Sequence, residues 1–87
     1  DIAYNNLGVV FLDGLGDATR AIEYFKTATE INPGYALAHF NLARSHEMMG
    51  EKIAAAKQYQ KALNINRQTN ELDFKLIEER LYRLFDA

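Results

Sequence analysis

Apolar residues fall along the chain at intervals of three and four, the spacing of helical faces, and short segments rich in Gly, Asn and Pro interrupt them. Ala3, Leu7 and Val10 share one stripe with Tyr4, Gly8 and Phe11 beside it, which predicts a first helix over about 2–13. Gly14 and Gly16 end it, and Asp17 stands where it can cap a second helix, about 18–31, by accepting from the free N–H groups. In that helix Ala21, Ile22, Phe25 and Ala28 turn inward; the two alanines let helices approach closely and Phe25 fills the space between them. Asn32-Pro33 reads as a helix start, with Asn as the cap and Pro in the first turn. A third helix over about 35–49 and a fourth over about 52–65 follow, divided by Gly50, and Thr69 or Asn70 is expected to cap a fifth that reaches about Phe85. The fifth carries the arc Phe74, Ile77, Leu81, Leu84 and Phe85, wide enough to cover an open helical face, with Lys75, Glu79, Arg83 and Asp86 opposite. Leu72 and Leu76 fall on the polar side and Tyr82 at its border; scattered surface apolars explain them, and a second contact face is the sharper alternative.

The pattern is written twice. Asn6-Leu7-Gly8 returns as Asn41-Leu42-Ala43 and Phe11 as His46, all 35 positions on. Gly16, Ala21, Phe25, Ala28, Ile31 and Asn32 return as Gly50, Ala55, Tyr59, Ala62, Ile65 and Asn66, now 34 positions on. The one-residue difference lies between Phe11 and Gly16 and is read as an extra turn residue in Asp13-Gly14-Leu15-Gly16. Lengthening a turn costs little loop entropy, so tolerated drift is its default explanation. A period of this size marks a stacking repeat protein, in which each unit covers the apolar face of its neighbour.

The first unit supplies, in order, Tyr4, Leu7, Gly8, Phe11, Gly16, Ala21, Phe25, Ala28 and Pro33; the second supplies His39, Leu42, Ala43, His46, Gly50, Ala55, Tyr59 and Ala62. This succession resembles the tetratricopeptide repeat (TPR) family, with departures at His39 and His46, which hold aromatic slots, and at Arg67, which stands where a second Pro would close the unit. The resemblance implies an all-α fold, a right-handed superhelix of antiparallel helix pairs (an α-solenoid of about five helices). Its units would be a first repeat over 1–34, a second over 35–69 and a C-terminal capping helix over 70–87. It also implies that the first helix of each pair lines a concave groove for a peptide or partner protein. Ile2, Asn5, Val9, Leu12 and Asp13 would face that groove from the first unit, and Leu37, Phe40, Arg44, Glu47 and Met48 from the second. The fifth helix would add Phe74 and Glu78. Phe40 is the expected anchor, an aromatic that buries much area with few rotors, while Asn5 and Arg44 would hold a peptide backbone or carboxylate. Some members grip acidic C-termini with a two-carboxylate clamp that needs Lys and Asn one turn apart. Asn5 and Val9 stand at those places, so that ligand class is not expected.

Charge and composition narrow the partners. Ten basic against twelve acidic residues give a net charge of −2 with no basic run, which argues against nucleic acid. No apolar stretch approaches a membrane span. The absence of Cys removes disulfides, thiolate metal sites and a Cys nucleophile; the compartment stays open, with the cytoplasm favoured. Roughly three repeats are normally needed for an independent array, and the chain opens directly in helical pattern at Asp1-Ile2-Ala3-Tyr4, so a fragment of a longer protein is expected.

Candidate chemistry changes little. His39 and His46 are seven apart, about 10.5 Å along a helix, unlike the one-turn pair of a helical zinc site. Packing in aromatic slots accounts for both. Glu78-Glu79 with Lys75, Arg80 and Arg83 reads as a solvated, salt-bridged face, and Met48-Met49 as gap-filling core. Gly14-Leu15-Gly16-Asp17 lacks the Lys and the preceding strand of a phosphate loop. With no nucleophile, base and orienter converging, no metal set and no cofactor signature, no catalysis is expected, and the TPR resemblance implies a non-catalytic protein–protein interaction module. The alternative is a scaffold element that homo-oligomerises through exposed repeat edges, at Ala3, Leu7 and Val10 in front and Leu72 and Leu76 behind; a third reading is a regulatory appendage of an enzyme outside this segment.

Overall fold

The computed structural model describes residues 1–86, whose regular elements are all helices, without strands among them. α1 (Ile2–Val9) runs on into a π-helical turn (Val10–Gly14), followed by α2 (Ala18–Ile31), α3 (Ala36–Met48), α4 (Lys52–Thr69) and α5 (Phe74–Arg83). α1 packs on α2 and α3 on α4; α2 meets α3 between the two hairpins, and α5 lies against α4. The result is a helical-repeat solenoid measuring 31 × 27 × 18 Å. Ala87, the last position of the expected capping segment, lies outside the described residues.

Two buried clusters follow the two units. Leu12, Ala18, Ala21, Ile22 and Phe25 of the first enclose Leu42 of the second. Phe40, Ala43, Ala55, Tyr59, Ala62 and Leu63 share their cluster with Ile77 of α5 and with Leu84, the residue that closes α5. Gly8 lies against the Phe25 ring so closely that a Cβ there would overlap the ring atoms.

The extra residue of the first unit is not in the turn. It is taken up in the helix, where Leu15 N–H donates to Val10 O at 3.1 Å, the i→i+5 bond of a π turn. Beyond it Asp17 N–H donates to Phe11 O at 2.7 Å, and in the second unit Glu51 N–H donates to His46 O at 2.9 Å. Phe11 and His46 are equivalent, so the same closing bond spans one more residue in the first unit than in the second. Winding the insertion into the helix preserves the turn.

Helix ends differ from expectation at three places. Asp17 caps α2, accepting from Arg20 N–H, but Asn32-Pro33 does not open α3. Pro33 excludes the helical region for Asn32, which instead closes α2; Tyr35 N–H donates to Asn32 O at 3.1 Å and Gly34 N–H to the Asn32 side chain, making a turn. α3 starts at Ala36, whose N–H is accepted by the Glu71 carboxylate at 3.1 Å from 35 residues away. With Arg67 in place of Pro, α4 runs on to Thr69, and Asn70, at φ 52°, closes it as a left-handed cap instead of opening α5. Asp73 caps α5, accepting from Lys75 N–H at 3.0 Å. The methionines also differ: Met48 and Met49 are exposed at the end of α3 instead of filling core.

Candidate functional site

On the face formed by α1, α3 and α5 a polar chain crosses from the first repeat to the second. Asn41 Nδ2 donates to Asn5 Oδ1 at 3.0 Å, with both side chains buried. Arg44 Nη1 donates to Asn41 Oδ1 at 3.2 Å, and Arg44 Nη2 donates to Asp13 Oδ1 at 2.5 Å in an ion pair. The π turn carries Asp13, so the inserted residue and this ion pair are parts of one arrangement. Asn5 and Arg44 are therefore engaged with each other's neighbours and do not stand free for a ligand backbone.

Past Arg44 the face opens into a cleft of about 360 Å³ lined by Arg44, Glu47 and Met48 of α3 and Arg80 of α5. Glu47 accepts from the Tyr59 hydroxyl at 2.8 Å. Burial pushes the Tyr59 phenol far above its ordinary value, the Glu47 acceptor raises it further, and the Arg80 guanidinium works against both. Arg80 also lies over the Phe40 ring, 5.9 Å from its centroid, and that ring meets Tyr59 edge-on at 5.5 Å.

These contacts correct the expected anchor. Phe40 is only 8 % exposed, because α5 brings Ile77, Leu84 and Arg80 over it. Leu12 and Asn5 are buried as well. Of the other expected groove residues, Ile2, Asp13 and Met48 are exposed, and Val9, Leu37, Arg44 and Glu47 are half-buried, as are Phe74 and Glu78 on α5. Ile2 lines a separate hollow with Asp1, Ile31, Asn32 and Tyr35, remote from the Met48 cleft. The ten positions form a buried middle with openings at either end.

The edge of the first repeat is bare. Tyr4 and Phe11 each stack on Tyr24, at 6.5 and 5.2 Å, and Arg20 covers Phe11 at 5.9 Å. Beside this ladder Ala3, Leu7 and Val10 are exposed; Leu7 is 43 % exposed where its counterpart Leu42 is 3 %, since α2 covers only the latter. His39 and His46 serve packing: the His39 ring bridges Gln58 and Pro33 O at 2.9 and 3.0 Å, and His46 Nδ1 meets Glu51 at 2.9 Å. The ion pairs expected along α5 are not formed within 4 Å among the described residues.

A tetratricopeptide repeat model matches residues 1–68 of the chain. The chain belongs to the TPR family. Members of the family generally act as protein–protein interaction modules. The chain is also 33 % identical over 63 residues to an uncharacterised protein, ycf37, of Pyropia yezoensis, a match covering 72 % of this chain and 35 % of that protein's length. Against the TPR repeat register, Arg80 falls 34 positions after His46 and Ile77 falls 34 after Ala43. Carrying the period one unit further gives Ile77 the core place of Ala43, but it gives Arg80 the packing place of His46, so the position of Arg80 beside the cleft was not legible from the repeat. Nothing in the sequence signals the Glu71 cap on α3, which ties the start of that helix to the loop before α5. No helix among the described residues is long and apolar enough to cross a membrane.

Proposed function

We propose that this chain is a non-catalytic interaction module, with repeats over 1–34 and 35–69 and α5 as a cap, that binds a peptide or partner segment along the face of α1, α3 and α5. The observation that carries this reading is the cleft beside Met48, where an apolar side chain 58 % exposed stands between fixed polar groups. Its floor is rigid: Tyr59 holds Glu47, Asp13 holds Arg44, and Phe40 seals the space beneath. A preorganised floor lowers the entropy lost when a flexible peptide docks. Catalysis is not part of this reading, since the histidines and carboxylates are spread over separate packing roles. Met48→Asp tests the site without touching the core. Peptides selected from a displayed library on the wild-type protein should lose at least tenfold in affinity to Met48→Asp, with the circular dichroism spectrum unchanged. Equal affinity, or no selected peptide, ends the groove assignment.

A second reading has its own observation, the bare first edge at Leu7 and Val10, where the covered counterpart Leu42 shows what a neighbouring helix would do. There the occupant would be another copy of the chain. Light scattering separates the two readings: self-association requires a mass that rises with concentration.

A further inference from the structure

We propose that the cleft between α3 and α5 recognises an acidic side chain of its partner through Arg80, next to an apolar side chain that covers Met48. This rests on the groove reading and gives its partner a chemistry. Four side chains line the cleft, three of them charged. One of those charges is paired within the chain, Arg44 with Asp13, and Arg44 is also bonded to Asn41; Glu47 accepts from the neutral Tyr59 hydroxyl, on which the Arg80 guanidinium also acts. Arg80 has no carboxylate within 4 Å among the described residues.

The helix itself explains why. One turn from Arg80 on α5 stand Leu76, Ile77, Arg83 and Leu84, none of which can neutralise it. Arg83 adds charge of the same sign. The guanidinium is nevertheless fixed, because it lies over the Phe40 ring and is half-buried. A planar donor fork held at the wall of a cleft suits the bidentate geometry of a carboxylate, and little further ordering is needed to bind one. At about 360 Å³ the cleft is larger than a single carboxylate, which leaves the exposed Met48 for an adjacent apolar residue.

The test uses the full chain and a displayed library of random dodecapeptides. Selected peptides should share an Asp or Glu next to a large apolar residue. One of them, fluorescently labelled, should lose about tenfold in affinity when its acid is changed to the amide, the scale of a charge-assisted hydrogen bond. Arg80→Gln should cost about the same and should add nothing once the peptide's acid is gone. Because Arg80 also covers Phe40, the change on the peptide tests the idea even where Arg80→Gln lowers stability. Selected peptides without an acid, or an acid whose removal leaves affinity unchanged, overturn the proposal. If such peptides still lose affinity to Met48→Asp, the groove reading survives and only the acid specificity falls; if nothing is selected, both fall.

Discussion

Phe40 lies under the Arg80 guanidinium with its face against a cation and its edge against Tyr59, enclosed by two residues from α5. Truncating it leaves a cavity bounded by three helices, so Phe40→Ala should cost about 3–5 kcal/mol in urea unfolding, a large share of what so small a domain has. A loss below about 1 kcal/mol would mean that the ring is not the core element its burial implies. At position 40 the repeat register was legible in the sequence, but the role was not. The family pattern assigns this place to the groove, and only the arrival of α5 turns a surface aromatic into core. Asn5 is similar. Its spacing put it on the groove face, and the buried Asn41 donor took its oxygen. Such a buried polar pair is costly to break from one side, because the remaining partner stays desolvated.

Among the elements, α4 gives the sharpest contrast. In the first unit Pro33 stops α2 at Ile31; in the second, Arg67 lets the helix run on to Thr69, and the buried Asn66 then clasps Leu72 through both its N–H and its carbonyl. Restoring the family residue is therefore predicted to harm this chain. Arg67→Pro puts a ring inside the last turns of α4, removes a helix hydrogen bond and disturbs the Asn66 clasp, at a cost of about 3 kcal/mol or more. Chemical denaturation checks this; a neutral or stabilising effect would mean that the last turn of α4 contributes nothing. The departure at position 67 was visible in the sequence. Its consequence was not, because a missing stop signal does not say where the helix will end, and here the left-handed Asn70 decides.

At the scale of the molecule, the two tyrosines whose phenols are displaced upward tie stability to alkaline pH. Burial, then Glu47, raises Tyr59; burial, then Glu71, raises Tyr35. An unfolded phenol ionises near 10.0, while the folded ones hold their protons to higher pH. The unfolded state thus binds fewer protons above that pH, so the stabilisation is complete below about pH 10 and drains away as pH rises through the folded values. The melting temperature should fall more steeply above pH 10 for the wild type than for Tyr59→Phe. Parallel slopes would mean that Tyr59 ionises as freely folded as unfolded. The same contacts that raise these phenols join distant parts of the chain, α3 to α4 through Glu47 and Tyr59 and the start of α3 to the loop before α5 through Glu71.

Periodicity by itself determined the repeat, the helical class, the small-residue contacts at Ala21, Ala28, Ala55 and Ala62, and the Gly50 and Asp17 boundaries, because spacing along one helix is a local property that sequence records directly. It also located the one-residue insertion, though not its form. Tertiary structure alone decided that the insertion is wound into a π turn, that Asp13 then meets Arg44, that Phe40 is sealed and that Arg80 stands beside an open cleft. Each of these depends on where a second helix lies in space, and the free energy of burying or pairing a side chain belongs to that meeting of helices rather than to either sequence segment alone.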